Sequence, residues 1–328
     1  MGLCLGTEDT EEKTARVRSA KIDRELYESA KREMNVVKIL ILGAAESGKS
    51  TLVKQMKIIH SNGFTKQELS SFKPAVLDNL LTSMKFVLHG MGVLRINLAN
   101  NRNKVHAHSV LSCGRCFDEE HVPLPFLSHA LSCLWADQGV RAAAARGYEY
   151  ELNDSALYFF ENMSRITSPD YVPTETDVLR VRLRTTGVIE TQFKVNHLIF
   201  RYSSLSVSRT EFRFFLLVYT LSLLCFEPTL LVCLLQILFM NKIDLFEDKI
   251  SHTGRHLRLY WPKFKGADYD VDSAARFIVA TFVSLSKSPK KLIYHHFTTA
   301  TDTSNIQVVF QVVMETIIKE NLEAVSLL

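Results

Sequence analysis

The sequence predicts an α/β domain that is interrupted by an all-helical insertion and preceded by a charged helix. Three observations carry this. Residues 36–43, VVKILILG, are a continuous run of β-branched residues and leucine, as a strand buried on both faces requires. From about residue 64 to 178 apolar residues recur at helical spacing instead. After that, short apolar runs separated by turn signals resume, and the chain closes on a helical pattern, NIQVVFQVVMETIIKENL.

In order along the chain, residues 7–34 are highly charged, with a narrow apolar line of Val17, Ile22, Leu26 and Ala30. So thin a stripe cannot anchor a core, which leaves a solvated helix or a helix laid against a partner. The strand at 36–43 turns through glycines into a helical segment, SGKSTLVKQMKIIH. FKPAVLDNLLTSMKFVLHGMGVL is one amphipathic helix of the insertion, and VRAAAARGYEYELNDSALYFFENMSRI contains others. GVIETQFKVNHLIF reads as two short strands around a turn, and ILFMNKIDLF and KLIYHHFTTATDT as later strands with their loops. The apolar run at 214–240 is long enough to cross a bilayer. Glu227-Pro228 interrupts it with a charge and a helix breaker, so two buried strands or short core helices are expected there. No repeat and no low-complexity tract is visible.

Composition narrows the function classes. A hydrophobic fraction of 47% and a charged fraction of 23% are those of a globular protein. A net charge of +4, spread along the chain, argues against nucleic acid as a partner. Six irregularly spaced cysteines and an N-terminus without an apolar secretory segment point to reduced thiols in the cytosol.

The chemistry-bearing motif is Gly43-Ala-Ala-Glu46-Ser47-Gly48-Lys49-Ser50, followed by Thr51. Its glycines let backbone N–H groups converge on phosphate oxygens, Lys49 supplies a charge for the β/γ-phosphates, and Ser50 offers a hydroxyl to Mg²⁺. It stands after a strand and opens a helix, where the helix dipole also favours anions. Asn241-Lys242-Ile243-Asp244 follows another strand-like run. The Asp244 carboxylate can accept the adjacent N1–H and N2–H of guanine, a pairing adenine cannot make. Asn241 would add a contact to the ring edge and Lys242 would lie along its face. Alone, the tetrapeptide is equally a polar turn closing a strand; after a phosphate loop it favours guanine. A rival cluster, His106, His108, Cys113, Cys116 and His121, resembles a zinc site but has a single CxxC and loosely placed histidines.

On GAAESGKSTLVKQMKIIH, YELNDSALYFF, PTETDVLRVRLRTTGVIET, NKIDLF and FTTATDTSNIQVVF, the chain resembles the α subunits of heterotrimeric G proteins. The resemblance implies a P-loop GTPase (Ras-like) domain at 36–63 and 184–328, a helical domain at 64–183 and an N-terminal helix at 1–35. It implies GTP/GDP and Mg²⁺ as ligands, a βγ dimer, a receptor reached through the C-terminal tail and an effector as partners, and the cytoplasmic face of the plasma membrane as location. By resemblance Arg182 falls on the arginine finger, the cation that stabilises charge on the transferring phosphoryl group. Thr185 falls on the threonine that joins Ser50 at Mg²⁺. Asp154, Ser155, Leu179, Arg180 and Val181 match nucleotide-contacting positions, and Thr299-Ala300 matches the loop whose backbone meets guanine, with Thr299 where cysteine is usual. Gly2 and Cys4 match lipidation sites, although the myristoylation motif wants Ser or Thr where this chain has Gly6. Val325 stands where the pertussis-toxin-sensitive classes carry cysteine.

Two departures bear on activity. Ala45 occupies a loop position usually held by glycine, which predicts slower hydrolysis with binding retained. After KVNHLIFR the family's Asp, Gly and Gln of the second switch are absent; Ser204, Ser206, Val207 and Ser208 stand in that stretch. The segment before Asn241 is also short, which predicts the loss of a strand and much of a helix. Two readings follow: a GTP/GDP switch with impaired hydrolysis, or a binding-only decoy without a working cycle.

Overall fold

The computed structural model describes residues 10–33, 36–115, 117, 124–150, 152–183, 189–195, 198–206, 219–226, 235–286 and 292–324. The N-terminal helix α1 runs Thr10–Glu33 and is followed by strand β1, Val36–Gly43, and helix α2, Lys49–His60. Among the described residues the α-helices that come next are α3 (Lys66–Ser71), α4 (Lys73–Leu94), α5 (Asn103–Ser112), α6 (Pro125–Trp135), α7 (Gln138–Ala145), α8 (Ala156–Glu161), α9 (Met163–Ile166) and α10 (Glu175–Arg180). The chain then returns to the sheet with β2 (Ile189–Val195), β3 (Leu198–Ser206), β4 (Tyr219–Phe226) and β5 (Leu235–Asn241). It ends with α11 (Ile243–His252), α12 (Val271–Ser284), β6 (Ile293–Thr298) and α13 (Thr303–Ala324).

The strands form one sheet in the order β2-β3-β1-β4-β5-β6. β1 pairs in parallel with β3, and β5 with β6, while β2 runs antiparallel to β3. The expected loss of a strand is corrected to a replacement. β4 fills the place between β1 and β5 and runs antiparallel to both. Chain length explains its direction: only residues 227–234 separate β4 from β5. A parallel crossover needs roughly a dozen residues or more, whereas antiparallel neighbours join through a short connection. The run at 214–240 thus contributes two strands, and no helix among the described residues is long and apolar enough to cross a membrane.

Two apolar layers cover the sheet. On one face Ile39 and Ile41 of β1, Phe200 and Tyr202 of β3, and Ile237 and Phe239 of β5 pack against Leu52 and Met56 of α2 and Phe310 and Val313 of α13. On the other, Leu238 and Met240 of β5 pack with Ile250 of α11 and Ile278 of α12. Successive residues of β5 therefore enter opposite layers, which is why its sequence is apolar without alternation. The inserted helices have a core of their own, in which Leu80, Met84 and Val87 of α4 meet Leu131 and Leu134 of α6 and Phe159 and Phe160 of α8. Val17, Ile22 and Leu26 of α1 remain 71%, 48% and 62% exposed, so nothing in the described chain covers that line.

Candidate functional site

The site is built from three loops at one end of the sheet, and Asn241 joins them. This residue ends β5, and its side chain is buried. Its Nδ2 donates to the Ser47 carbonyl at 2.9 Å, in the loop between β1 and α2. Its Oδ1 accepts from the Ala300 amide at 2.9 Å and from the Thr298 hydroxyl at 3.2 Å, at the end of β6. Asn241, expected to contact a base edge, is thus also a latch that fixes the loops to one another. Gln55 of α2 adds a second tie, donating from Nε2 to the Ala300 carbonyl at 2.8 Å.

The backbone of the β1–α2 loop needs its sequence. Gly48 has φ +102°, and a Cβ there would lie 2.2 Å from Asn241 Nδ2. Both the left-handed conformation and the close approach exclude a larger residue. Glu46 also adopts positive φ, 67°, and so turns the loop before the helix begins. Lys49, buried at the start of α2, donates from Nζ to the carbonyls of Gly43 at 2.8 Å and Ala44 at 2.7 Å. Burial pushes its ammonium below the ordinary lysine range. Ser50 and Thr51 follow in the first helical turn. The Ser47 hydroxyl is buried and has no hydrogen-bond partner among the described residues, a rare state for a polar group in a folded chain.

The inserted helices meet two of these loops through ion pairs. Arg182, just beyond α10, pairs through its guanidinium with Glu46. Lys242, at φ 62° between β5 and α11, pairs with Asp154 in the turn before α8. Ser155 lies beside it, its amide donating to Asn153 Oδ1 at 3.1 Å. Leu179 and Val181 are buried, and the Arg180 guanidinium lies over the Tyr158 ring at 4.7 Å. Asp244 is exposed in the first turn of α11. Thr299 is anchored by its amide, which donates to Asn305 Oδ1 at 3.0 Å. Thr185, Gly2, Cys4 and Val325 lie outside the described residues, as do Val207 and Ser208. The backbone at Ser204 and Ser206 continues β3 in parallel register with β1, Ser206 opposite Gly43.

Several supporting residues escaped the sequence reading. Asn79 of α4 holds the Arg182 backbone at both ends, accepting from its N–H at 2.9 Å and donating to its carbonyl at 3.0 Å. Lys54 of α2 donates to the carbonyls of Val178 at 2.7 Å and Val181 at 3.3 Å, and burial lowers its pKa to about 8. Asp177 of α10 is fully buried and accepts from Arg165, Tyr158, Tyr171 and the Thr174 amide. Burial opposes its ionisation, but Arg165 and these donors outweigh burial and hold the carboxylate at about 2. The one legible signal was Thr174-x-x-Asp177, the capping box that opens α10.

A glycine-shaped loop leading into a buried helix N-terminus, latched to two further loops and flanked by inserted helices, defines a phosphate-loop α/β protein. Comparison with known proteins sharpens this. The profile of the G-protein alpha subunit family matches residues 16–220 and 235–317. The chain is 42% identical to the guanine nucleotide-binding protein G(o) subunit alpha of Geodia cydonium, over the full length of both. It is 35% identical to the guanine nucleotide-binding protein alpha-1 subunit of Neurospora crassa, over 97% of this chain and 98% of the relative. With the G-protein complex alpha subunit gpaA of Aspergillus fumigatus it shares 36% identity over the full length of both. The chain belongs to the G-protein alpha subunit family.

Proposed function

We propose that this chain is the guanine-nucleotide-binding alpha subunit of a heterotrimeric G protein, a GTP/GDP switch that transduces signals from G-protein-coupled receptors. The observation that carries the proposal is the Asn241 latch, which ties the phosphate-shaped loop to the end of β6 and the Thr299–Ala300 loop, next to the Lys242–Asp244 segment. In this reading the amides of residues 43–51 and Lys49 hold the phosphates. The unpartnered Ser47 hydroxyl is a further donor for them. Asp244 reads guanine, Lys242 supports the ring face, and the Thr299–Ala300 backbone closes over it. Arg182, held at the loop by Glu46, supplies positive charge where charge develops on the transferring phosphoryl group.

Mg²⁺ prefers oxygen donors, and the hydroxyl of Ser50 at the first turn of α2 fits that preference. Ser50 and Thr185 would hold the ion, which when bound would balance charge on the β- and γ-phosphates.

Of the two ion pairs that join the inserted helices to the loops, Arg182–Glu46 is accessible to water, with Arg182 58% and Glu46 37% exposed, whereas Lys242 and Asp154 are half-buried. An exposed pair contributes about 0–1 kcal/mol, so the Arg182–Glu46 contact can open for nucleotide exchange. The proposal keeps the division into 1–35, 36–63 with 184–328, and 64–183. It assigns α1, with its uncovered apolar line, to the βγ dimer and, with lipids at Gly2 or Cys4, to the inner face of the plasma membrane. It assigns the C-terminal tail to the receptor. Hydrolysis is impaired in this reading, because no residue of the 204–208 stretch replaces the water-orienting glutamine.

The test is a single turnover of γ-labelled GTP on the purified full chain, with bound nucleotide and released phosphate followed together. Binding with slow release is the expected result. Release at an ordinary family rate would refute the impaired-hydrolysis reading, and no binding would refute the switch itself.

A further inference from the structure

The inserted helices bring together a set of side chains that the sequence pattern did not group. His129 and Cys133 stand four residues apart on α6, so both project from one face of that helix. Cys133 Sγ lies 3.5 Å from His129 Nε2. Across the helix pair, the His106 ring of α5 meets the His129 ring at a centroid distance of 5.4 Å and an angle of 81°. One ligand atom from each of His106, His129 and Cys133 falls within 4.8 Å of the other two. Cys113, by contrast, turns its Sγ to the Arg115 carbonyl, and Cys116 and His121 lie outside the described residues.

We propose that His106, His129 and Cys133 form a binding site for a borderline-soft divalent cation of the Zn²⁺ class. Two imidazoles and a thiolate are the donor set that such an ion selects over Mg²⁺ or Ca²⁺, which take oxygen ligands. Bond lengths of about 2.0–2.1 Å to nitrogen and 2.3 Å to sulfur place tetrahedral ligand atoms roughly 3.3–3.6 Å apart. The Cys133–His129 separation already has that value, and the remaining atoms need a shift of about an ångström, within the reach of χ rotation at His106. His129 is exposed while His106 and Cys133 are half-buried, so the ion enters from solvent and its fourth position faces water. Binding displaces the thiol proton of Cys133 to solvent as the thiolate–metal bond forms. The ion would staple α5 to α6 on the inserted helices, by ligands that play no part in the nucleotide site.

The experiment is a Co²⁺ titration of the full chain in excess Mg²⁺ and GDP, followed by Zn²⁺ competition. One equivalent of Co²⁺ is expected to give a thiolate-to-metal charge-transfer band and ligand-field bands of tetrahedral intensity, both bleached by Zn²⁺. Cys133→Ser removes the charge-transfer band, and His129→Ala weakens binding by about tenfold or more, since loss of a direct ligand exceeds loss of a supporting contact. The Cys113→Ser/Cys116→Ser double variant keeps the spectrum. Because His129 is exposed, His129→Ala tests the site even where Cys133→Ser does not fold. Zn²⁺ should raise the melting temperature of the parent chain and leave that of His129→Ala unchanged. No charge-transfer band, an unaltered spectrum in His129→Ala, or loss of the band in the Cys113/Cys116 variant would each overturn the proposal.

Discussion

Asn241→Ala removes the latch of the nucleotide site and leaves three groups behind it. The Ser47 carbonyl loses a donor at 2.9 Å, the Ala300 amide an acceptor at 2.9 Å, and the Thr298 hydroxyl an acceptor at 3.2 Å. Each buried bond is worth about 1 kcal/mol net, so the substitution costs about 3 kcal/mol. At about 1.4 kcal/mol per tenfold, this becomes roughly a hundredfold loss of guanine-nucleotide affinity if the whole cost falls on assembling the loops. Gly48→Ala provides the control. Its Cβ would meet Asn241 Nδ2 at 2.2 Å, and its φ of +102° strains any side chain. The strain stays when Asn241 is alanine, whereas the collision goes. The two substitutions together should therefore cost less than their sum, by about 0.5–3 kcal/mol for residues in contact. Titration with a fluorescent GDP analogue and thermal melts of all four proteins would measure the cycle. An Asn241→Ala affinity within threefold of the parent, or strictly additive costs, would refute the latch.

Three further outcomes are expected. The carboxyl of Asp177 is held at about 2, below its unfolded range, so its stabilising contribution is complete above the unfolded value and is lost as pH falls through the folded one. Urea melts from pH 6 to pH 2 should lose about 2 kcal/mol on this account, at about 1.4 kcal/mol per pKa unit, and Asp177→Asn should flatten the slope. Asp244→Asn should weaken GDP by about tenfold to a hundredfold, since hydrogen bonds to a charged acceptor are worth about 1.5–3 kcal/mol. The same variant should gain affinity for xanthine nucleotide, whose O2 can accept from the new amide; competition binding decides this. Arg182→Ala should raise the nucleotide dissociation rate by no more than about fivefold, the ceiling for an exposed pair. A stopped-flow chase of Arg182→Ala, Glu46→Ala and the double variant would show whether the two side chains act as one pair.

Much of the site was legible because its determinants are local. A loop that must turn at positive φ and let backbone N–H groups converge needs glycine at fixed spacing, and Gly48 declares this in any sequence window. The capping box at Thr174 and Asp177 is equally local, since a hydroxyl and a carboxylate three residues apart satisfy the first amides of α10. The roles of Asn79, Lys54 and Gln55 were not legible. Each bonds a backbone group 103 to 245 residues away, and any polar residue on a helix could have stood there. The metal-ligand set illustrates the same point, because Cys113 and Cys116 look paired in sequence while packing of α5 on α6 selects His106, His129 and Cys133.

By itself, then, the sequence determined where backbone conformation and side-chain period leave little choice: the phosphate loop, the strand of β1, the helical insertion and the family they resemble. The tertiary structure decided the rest. It gave Asn241 the role of a latch, because the Ser47 carbonyl, the Thr298 hydroxyl and the Ala300 amide converge on its side-chain amide. It also set the direction of β4, because residues 227–234 are too few to carry a parallel crossover and the vacant place between β1 and β5 offers backbone partners on both sides.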